Sequence, residues 1–372
     1  MDTGADWRHE DGNAGPVTKG KHGSEPATVE VVGAGPAGLA AAITLARGGR
    51  RVVVHEARHE VGHRFRRDLQ GLENWSGDRD VLTMLNDVGL TTRFNAIPCS
   101  EGTGFDAWNR AYPLRGSAPL CYLVERGPGP GSLDRALLDQ ALASGVEVRF
   151  GSRKQRLDGQ GIFASEPRKA DAIAVGYHFM TRLADGFWII LDDNLAPGGY
   201  AYLLTMRGWG TVKSCMFHDF ANQRVYVERT VERFRHLLGV DMRDARFHGG
   251  VANFFVPPTA CRGPHPVIGE AAGFQDAFAG FGMRYAMLSG VTAAHSLMNG
   301  TDYDIAWRRE IMRSMETAHV NRAIYDRLGN KGYRWLLRLQ TVSGDGRGFL
   351  GRLYRSAHIR RLLLPFARGT SG

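Results

Sequence analysis

The sequence predicts an α/β fold: a parallel βαβ domain interleaved with an antiparallel β-sheet domain, then a helical C-terminal region. Three observations carry this. A strand, a glycine-rich turn, a helix and a second strand follow one another over residues 28–56. Short β-rich segments bounded by Gly, Asp or Pro fill residues 173–259. A second glycine-rich turn, PVIGEAAGFQDAFAGFGMRYAMLSG at 266–290, runs into a helix more than two hundred residues after the first. With 372 residues the chain exceeds what one core usually serves, so two lobes are expected. The boundaries read as a disordered tail over 1–27, a discontinuous nucleotide-binding domain over 28–98, 120–172 and 260–300, an antiparallel substrate domain over 99–119 and 173–259, and a basic helical region over 301–372.

The first element is TVEVVGAGPAGLAAAITLARGGRRVVVHE. Its β-branched run at 28–32 reads as a buried parallel strand. Gly33 allows the tight turn, Gly35 removes a Cβ where a pyrophosphate must approach, and Gly38 lets the helix pack on the strand. Pro36 and Ala37 open the helix, whose N-terminus faces the phosphates. Glu56, 23 residues after Gly33, ends the second strand where it can accept hydrogen bonds from a ribose diol and repel a 2′-phosphate; Ala57 follows it. This is a Rossmann-like turn for an ADP moiety, which FAD and NAD share. Two features favour FAD. EARHEVGHRFRRD, with Gly62, Arg64, Arg66 and Arg67, stands where an NAD dehydrogenase would continue into another βα repeat, and the second glycine-rich turn supplies a further cradle.

In the middle of the chain, GSLDRALLDQALASGVEVRFGS reads as a helix with Leu133, Leu137, Leu138 and Leu142 on one face, Ser132 or Asp134 at its cap, and a strand over 146–150. Arg126 ends the strand before it, either as a salt-bridged surface residue or as a clamp on phosphates. MRGWGT reads as a hairpin connection and VYVERTVERFRHLL as an amphipathic helix over 225–238. Trp188, Tyr200, Tyr202, Phe217 and Phe220 offer an aromatic wall for an apolar pocket.

Composition narrows the classes. Hydrophobic residues make up 43% and charged residues 23%, as in an ordinary globular chain. No apolar run reaches the roughly 18 residues that span a bilayer. Cys99, Cys121, Cys215 and Cys261 form no CxxC pair, and His218, His236 and His248 are isolated, so a metal site and a disulfide scaffold are not expected. The free thiols fit a cytoplasmic chain. From Asp326 onward ten Lys/Arg face two Asp, a net +8 of the whole chain's +9. The excess describes a tail and not a nucleic-acid-binding body. That tail, with Trp335, Leu336, Leu337, Phe349, Leu350 and Leu362–Leu364, reads either as a surface on anionic lipid at the inner face of a membrane or as a basic helical cap.

GAGPAG with Glu56, GGYAYLL and GEAAGFQDAFAGFGMRYAMLSG together resemble the geranylgeranyl reductase family, FAD proteins of the para-hydroxybenzoate hydroxylase-like group, over about residues 28–300. The resemblance implies Gly269 and Glu270 at the flavin ribityl chain with Ala272 and Gly273 beside them, and Gly280, Gly282 and Met283 at the ring. It also implies Arg126 contacting FAD, and Tyr200 and Tyr202 in the substrate motif. Glu270 stands where the family has Asp, Tyr202 where it has Trp, and Leu203-Leu204 where it has Phe-Pro. The function so implied is FAD-dependent reduction of C=C bonds in a hydrophobic isoprenoid, polyene or lipid substrate, with NAD(P)H or another reductant as donor and Tyr200, Tyr202 or a pocket water as proton source. The alternatives are an NAD(P)H-dependent FAD monooxygenase acting on an aromatic or polyketide-like substrate, and a non-catalytic flavin-binding partner at a membrane.

Overall fold

The structure, a computed structural model, describes residues 28–165 and 170–355. The tail 1–27 and the Leu362–Leu364 cluster lie outside the described residues. The architecture is of the predicted class. Strands Glu147–Arg149, Val52–His55, Val29–Val32 and Gly161–Phe163 pair in that order as a parallel sheet. Their valine-rich runs follow from burial on both faces; Val29, Val31 and Val54 are fully buried.

Helix Pro36–Arg47 opens with proline in its first turn, where no amide partner is needed. Five of its nine buried residues are alanine or glycine, so a second helix, Met283–Asn299, can lie directly on it. The contact is close enough that a Cβ at Gly290 would come within 2.3 Å of the Ala37 carbonyl. Helix Leu133–Ala143 packs on the same side of the core, capped by Ser132 through the Arg135 amide. Leu133, Leu137 and Leu138 point inward, but Leu142 is half exposed, because helix rotation carries it off the buried stripe.

The second lobe is a seven-stranded sheet in the order Arg243–Ala252, Ala172–Met180, Trp209–Met216, Tyr200–Met206, Gly186–Leu191, Glu101–Asp106, Ala111–Arg115. All its pairings are antiparallel except that of Gly186–Leu191 with Glu101–Asp106. The Met206–Trp209 hairpin turns on Arg207 and Gly208, both left-handed, as a two-residue turn requires. Side chains alternate across this sheet. Ala201, Leu203 and Val212 meet helix Gln223–Leu238 through Val227, Val231 and Phe234. Tyr200, Tyr202, Leu204, Lys213 and Cys215 face the other way, toward the first lobe.

A three-stranded sheet, Asp68–Glu73, Cys121–Arg126 and Ala96–Cys99, bridges the lobes. Helices Arg313–Tyr325, Gly329–Ser343 and Gly346–Arg355 close the far side. Tyr325 stacks on Tyr333 at 4.2 Å, Arg334 pairs with buried Asp106 at 2.7 Å, and the Tyr354 hydroxyl donates to Asp276 at 2.8 Å. The described C-terminal helices are therefore anchored to the rest of the fold as a cap.

Candidate functional site

One continuous cavity of about 880 Å³ runs from the first glycine turn, between the lobes, to the C-terminal helices. At one end the three glycines divide their work. Gly33 has φ +107°, and a Cβ there would lie 2.4 Å from the Ala164 carbonyl. A Cβ at Gly38 would lie 1.9 Å from the Gly33 carbonyl, so both serve packing. Gly35 is different: a Cβ there meets nothing within 4 Å and would project into open space at the helix N-terminus. Glu56 accepts the Ala34 amide at 2.8 Å and the Arg58 amide at 2.9 Å, which locks its carboxylate beside the turn. Pro36, Ala37, Glu56 and Ala57 all line the cavity.

The second glycine turn reaches the same cavity from the other side. Gly280, with φ +78°, has open space at its Cβ position, and Gly282 and Met283 line the wall at the start of the helix. Helices Pro36–Arg47 and Met283–Asn299 both begin without a side-chain cap. Both therefore offer unpaired amides and a positive dipole end to whatever occupies the cavity. Glu270 lines it too. Its carboxylate accepts the Asn253 amide at 3.2 Å and faces Arg64 at 3.4 Å, and burial raises its pKa against the opposing pull of Arg64. Gly269, Ala272 and Gly273 stand behind the wall: a Cβ at Gly269 would press on Ala37 and one at Gly273 on Phe255, while Ala272 belongs to the core. They shape the turn and do not front the cavity.

Arg126 is not a surface residue. It is 6% exposed, holds Asp134 through two 2.8 Å bonds and Gln70 at 3.1 Å, and lies over the Phe65 ring. Its remaining edge lines the cavity. Beyond Gln70 the polar belt continues into groups the sequence reading passed over. Asp68, fully buried, accepts from Gln70 at 2.9 Å and from Lys213 at 2.7 Å. Lys213 also donates to His248 Nδ1 at 3.1 Å, and His248 Nε2 bonds the Arg64 carbonyl. Burial and the Lys213 charge hold His248 below the ordinary histidine range, so its neutral Nδ1 can accept. Burial would raise Asp68, but the Lys213 charge and the hydrogen bonds from Lys213 and Gln70 bring it below the usual carboxylate range. His248, read from sequence as isolated, is part of this cluster. A signal existed: Lys213 is the one charged residue in the strand WGTVKSCM.

The aromatic wall is only partly the predicted one. Tyr200 and Tyr202 line the cavity, whereas Trp188, Phe217 and Phe220 do not. The period of two explains Trp188, since Phe187, Ile189 and Leu191 take the inner face and Trp188 the outer; Phe217 packs against Phe254 and Arg322, and Phe220 lies beyond the strand end. The Tyr200 hydroxyl donates to the Ala279 carbonyl at 2.6 Å, tying the sheet to the second glycine turn. Burial pushes Tyr200 and Tyr202 well above the ordinary phenol range. The far end of the cavity is apolar and is closed by Leu336, Leu337, Phe349, Leu350 and Leu353. Four of the leucines and phenylalanines read as a lipid-facing tail thus face inward, and Trp335 faces out, 57% exposed. All four cysteines are free. Among the described residues no group of His, Cys, Asp or Glu is arranged for a metal, and no helix is long and apolar enough to cross a membrane.

Residues 31–73 match the NAD(P)-binding Rossmann-like domain. No curated protein sequence matches the chain. Among solved structures, a geranylgeranyl bacteriochlorophyll reductase-like protein from Thermoplasma acidophilum superposes with a TM-score of 0.70 at 16% identity, over 90% of this chain and 98% of that one. The two share a fold. The flavin-dependent brominase Bmp2 (TM-score 0.63, 14% identity, 92% and 99% covered) has the same architecture. So has the p-nitrophenol 4-monooxygenase PnpA from Pseudomonas putida DLL-E4 (TM-score 0.59, 15% identity, 92% and 98% covered). The shared architecture hosts several chemistries, so the reaction has to be argued from the cavity.

Proposed function

We propose that the protein is an FAD-dependent oxidoreductase that reduces a C=C bond of a hydrophobic substrate. The observation that carries this reading is the single cavity joining a dinucleotide turn, a second uncapped helix N-terminus and an apolar compartment. Gly35 and Gly280 leave room where a Cβ would intrude, as a pyrophosphate and a flat ring need. Gly33, Gly35, Pro36, Ala37 and Glu56 would hold the ADP end, with Arg64 and Arg126 beside the phosphates. Glu270, Gly280, Gly282 and Met283 would hold the ribityl and ring end. Bound there, the reduced flavin would supply a hydride. The chain's own part is to orient the substrate against Tyr202, Phe187 and Leu337, to exclude water, and to place a positive helix end where negative charge develops.

The outward face of helix Gly329–Ser343, with Lys331, Trp335, Arg338 and Val342 exposed, supports a peripheral contact with anionic lipid, from which such a substrate could be drawn. NAD(P)H or another reductant would recharge the flavin.

The test is direct. Purified protein should show a flavin spectrum and release FAD on denaturation, and dithionite-reduced protein kept anaerobic should add two hydrogens to a polyprenyl substrate. Colourless protein that takes up no FAD sinks the cofactor assignment. Flavin that stays reduced beside unchanged substrate sinks the reductase assignment. NAD(P)H consumption yielding hydroxylated aromatic product or peroxide would favour the monooxygenase. In the same assay Tyr200→Phe should keep turnover, because the Tyr200 proton is committed to Ala279.

A further inference from the structure

We infer that Lys213 is the cavity's anchor for a carbonyl oxygen, and that the substrate is an apolar molecule whose reducible C=C bond is conjugated to a neutral carbonyl. The inference rests on the proposed C=C reduction and names the class of alkene it acts on.

Lys213 lies in the cavity wall, 2% exposed, on the face of the sheet that carries Tyr202 and Cys215. A lysine there is costly unless its charge is matched. Asp68 matches it at 2.7 Å, and neutral His248 takes a second N–H at 3.1 Å. The Arg64 carbonyl holds the His248 Nε2 proton, which leaves Nδ1 as the acceptor. Two of the three ammonium N–H bonds are thus committed, and the third is available to the cavity.

The charge balance selects the ligand. Lys213 and Asp68 together are neutral, Arg126 is paired with Asp134 and Arg64 with Glu270, so a second carboxylate would meet the Asp68 charge with no unpaired cation among them to offset it. A neutral carbonyl oxygen accepts the third N–H without that penalty. The site also lies close to the second glycine turn. Tyr200, which pairs with Cys215 two residues along from Lys213, bonds Ala279 immediately before Gly280. A carbonyl held by Lys213 therefore sits beside the ring end, with its apolar body toward Leu204 and Leu337.

The arrangement has a chemical use. A hydride equivalent, which a reduced flavin would supply if the proposed function holds, would form a C–H bond at the β-carbon and break the C=C π bond. The displaced electron pair moves onto the carbonyl oxygen, where the ammonium N–H stabilises the enolate. A proton from water then bonds to the α-carbon and restores the carbonyl. Asp68 and His248 act as positioning residues that keep Lys213 charged and aimed.

The test uses three probes of one carbon skeleton on the full-length protein as purified: methyl geranate, geranate, and the carbonyl-free 2,6-dimethylocta-2,6-diene. Binding is followed by calorimetry. Methyl geranate should bind tightest, between about ten- and a hundredfold better than the more apolar hydrocarbon, and geranate should fall below the ester. Lys213→Met should erase the ester's advantage and leave hydrocarbon affinity and bound-flavin absorbance unchanged. Lys213→Arg, which keeps a cation, should retain part of it. A hydrocarbon bound as tightly as the ester by the unmodified protein, binding of none of the three, or an advantage that survives in Lys213→Met overturns the assignment. The wild-type comparison stands even if the Met variant misfolds. Protein that takes up no FAD yet prefers the ester would reject the flavin reading and leave the Lys213 site standing.

Discussion

Gly33 and Gly35 stand two residues apart and fail in different ways when given a side chain. At Gly33 any Cβ drives into the Ala164 carbonyl, and φ +107° is a conformation that L-residues resist. Gly33→Ala should therefore destabilise the first lobe by about 1–3 kcal/mol, seen as a lower melting temperature with or without cofactor. At Gly35 an added Cβ meets no protein, only the space at the helix N-terminus. Gly35→Val should leave the melting temperature of flavin-free protein nearly unchanged while FAD per protein, read from absorbance, falls at least tenfold. Equal losses of stability in the two variants would refute this division. Glu270 is one methylene longer than the Asp the resemblance expects. The structure keeps its carboxylate in the cavity wall, held by the Asn253 amide and Arg64.

Between residue and molecule stands the loop 276–282, which joins the second glycine turn to its helix. Asp276 organises it by accepting the amides of Phe278 and Ala279 and the hydroxyl of Tyr354 from the last described helix. Burial raises the Asp276 carboxyl to about 6; Tyr354 and Ala279 oppose the shift and the Glu73 charge adds to it. Its ordinary value is 3.8, so between roughly pH 4 and 6 the folded chain holds a proton that the unfolded chain has released. Stability then falls as pH rises through that window, by something of the order of 3 kcal/mol, and the cost persists above pH 6. Glu270 shifts in the same direction and adds to the slope. Asp276→Asn should flatten the decline in melting temperature between pH 4 and 6; an unaltered slope would show that other groups cause it. Elements of this kind were unevenly legible. The strand–turn–helix at Val29–Arg47 and the Met206–Trp209 hairpin follow from local chemistry, because glycine at a left-handed position has few substitutes. The pairings of Asp276 with Tyr354 and of Asp68 with Lys213 were not legible, since they join residues 78 and 145 positions apart.

At the scale of the molecule, the C-terminal helices serve the cavity on one side and offer a basic surface on the other. Leu336 and Leu337 face in, while Lys331, Trp335, Arg338 and Val342 face out. Removing the region from Asp326 onward would therefore open the cavity, and surface substitutions are the cleaner probe. Lys331→Glu with Arg338→Glu should abolish sedimentation with anionic liposomes at low salt and leave FAD content unchanged; the unsubstituted protein should lose binding as salt rises past a few hundred millimolar. Sedimentation that ignores both the substitutions and the salt would mean that the surface does not contact lipid.

The amino-acid sequence by itself determined the α/β class, the first nucleotide turn and the presence of a second glycine-rich cradle. These depend on contacts among neighbours in the chain, where glycine, proline and β-branched residues act over a few positions. Only the tertiary structure decided that the two cradles open into one cavity, that Arg126 is buried against Asp134, and that Lys213, Asp68 and His248 form a charged cluster in its wall. Those arrangements arise from strand register and helix crossing between distant segments. A shift of one residue in register would turn Lys213 and Tyr202 to the opposite face of the sheet.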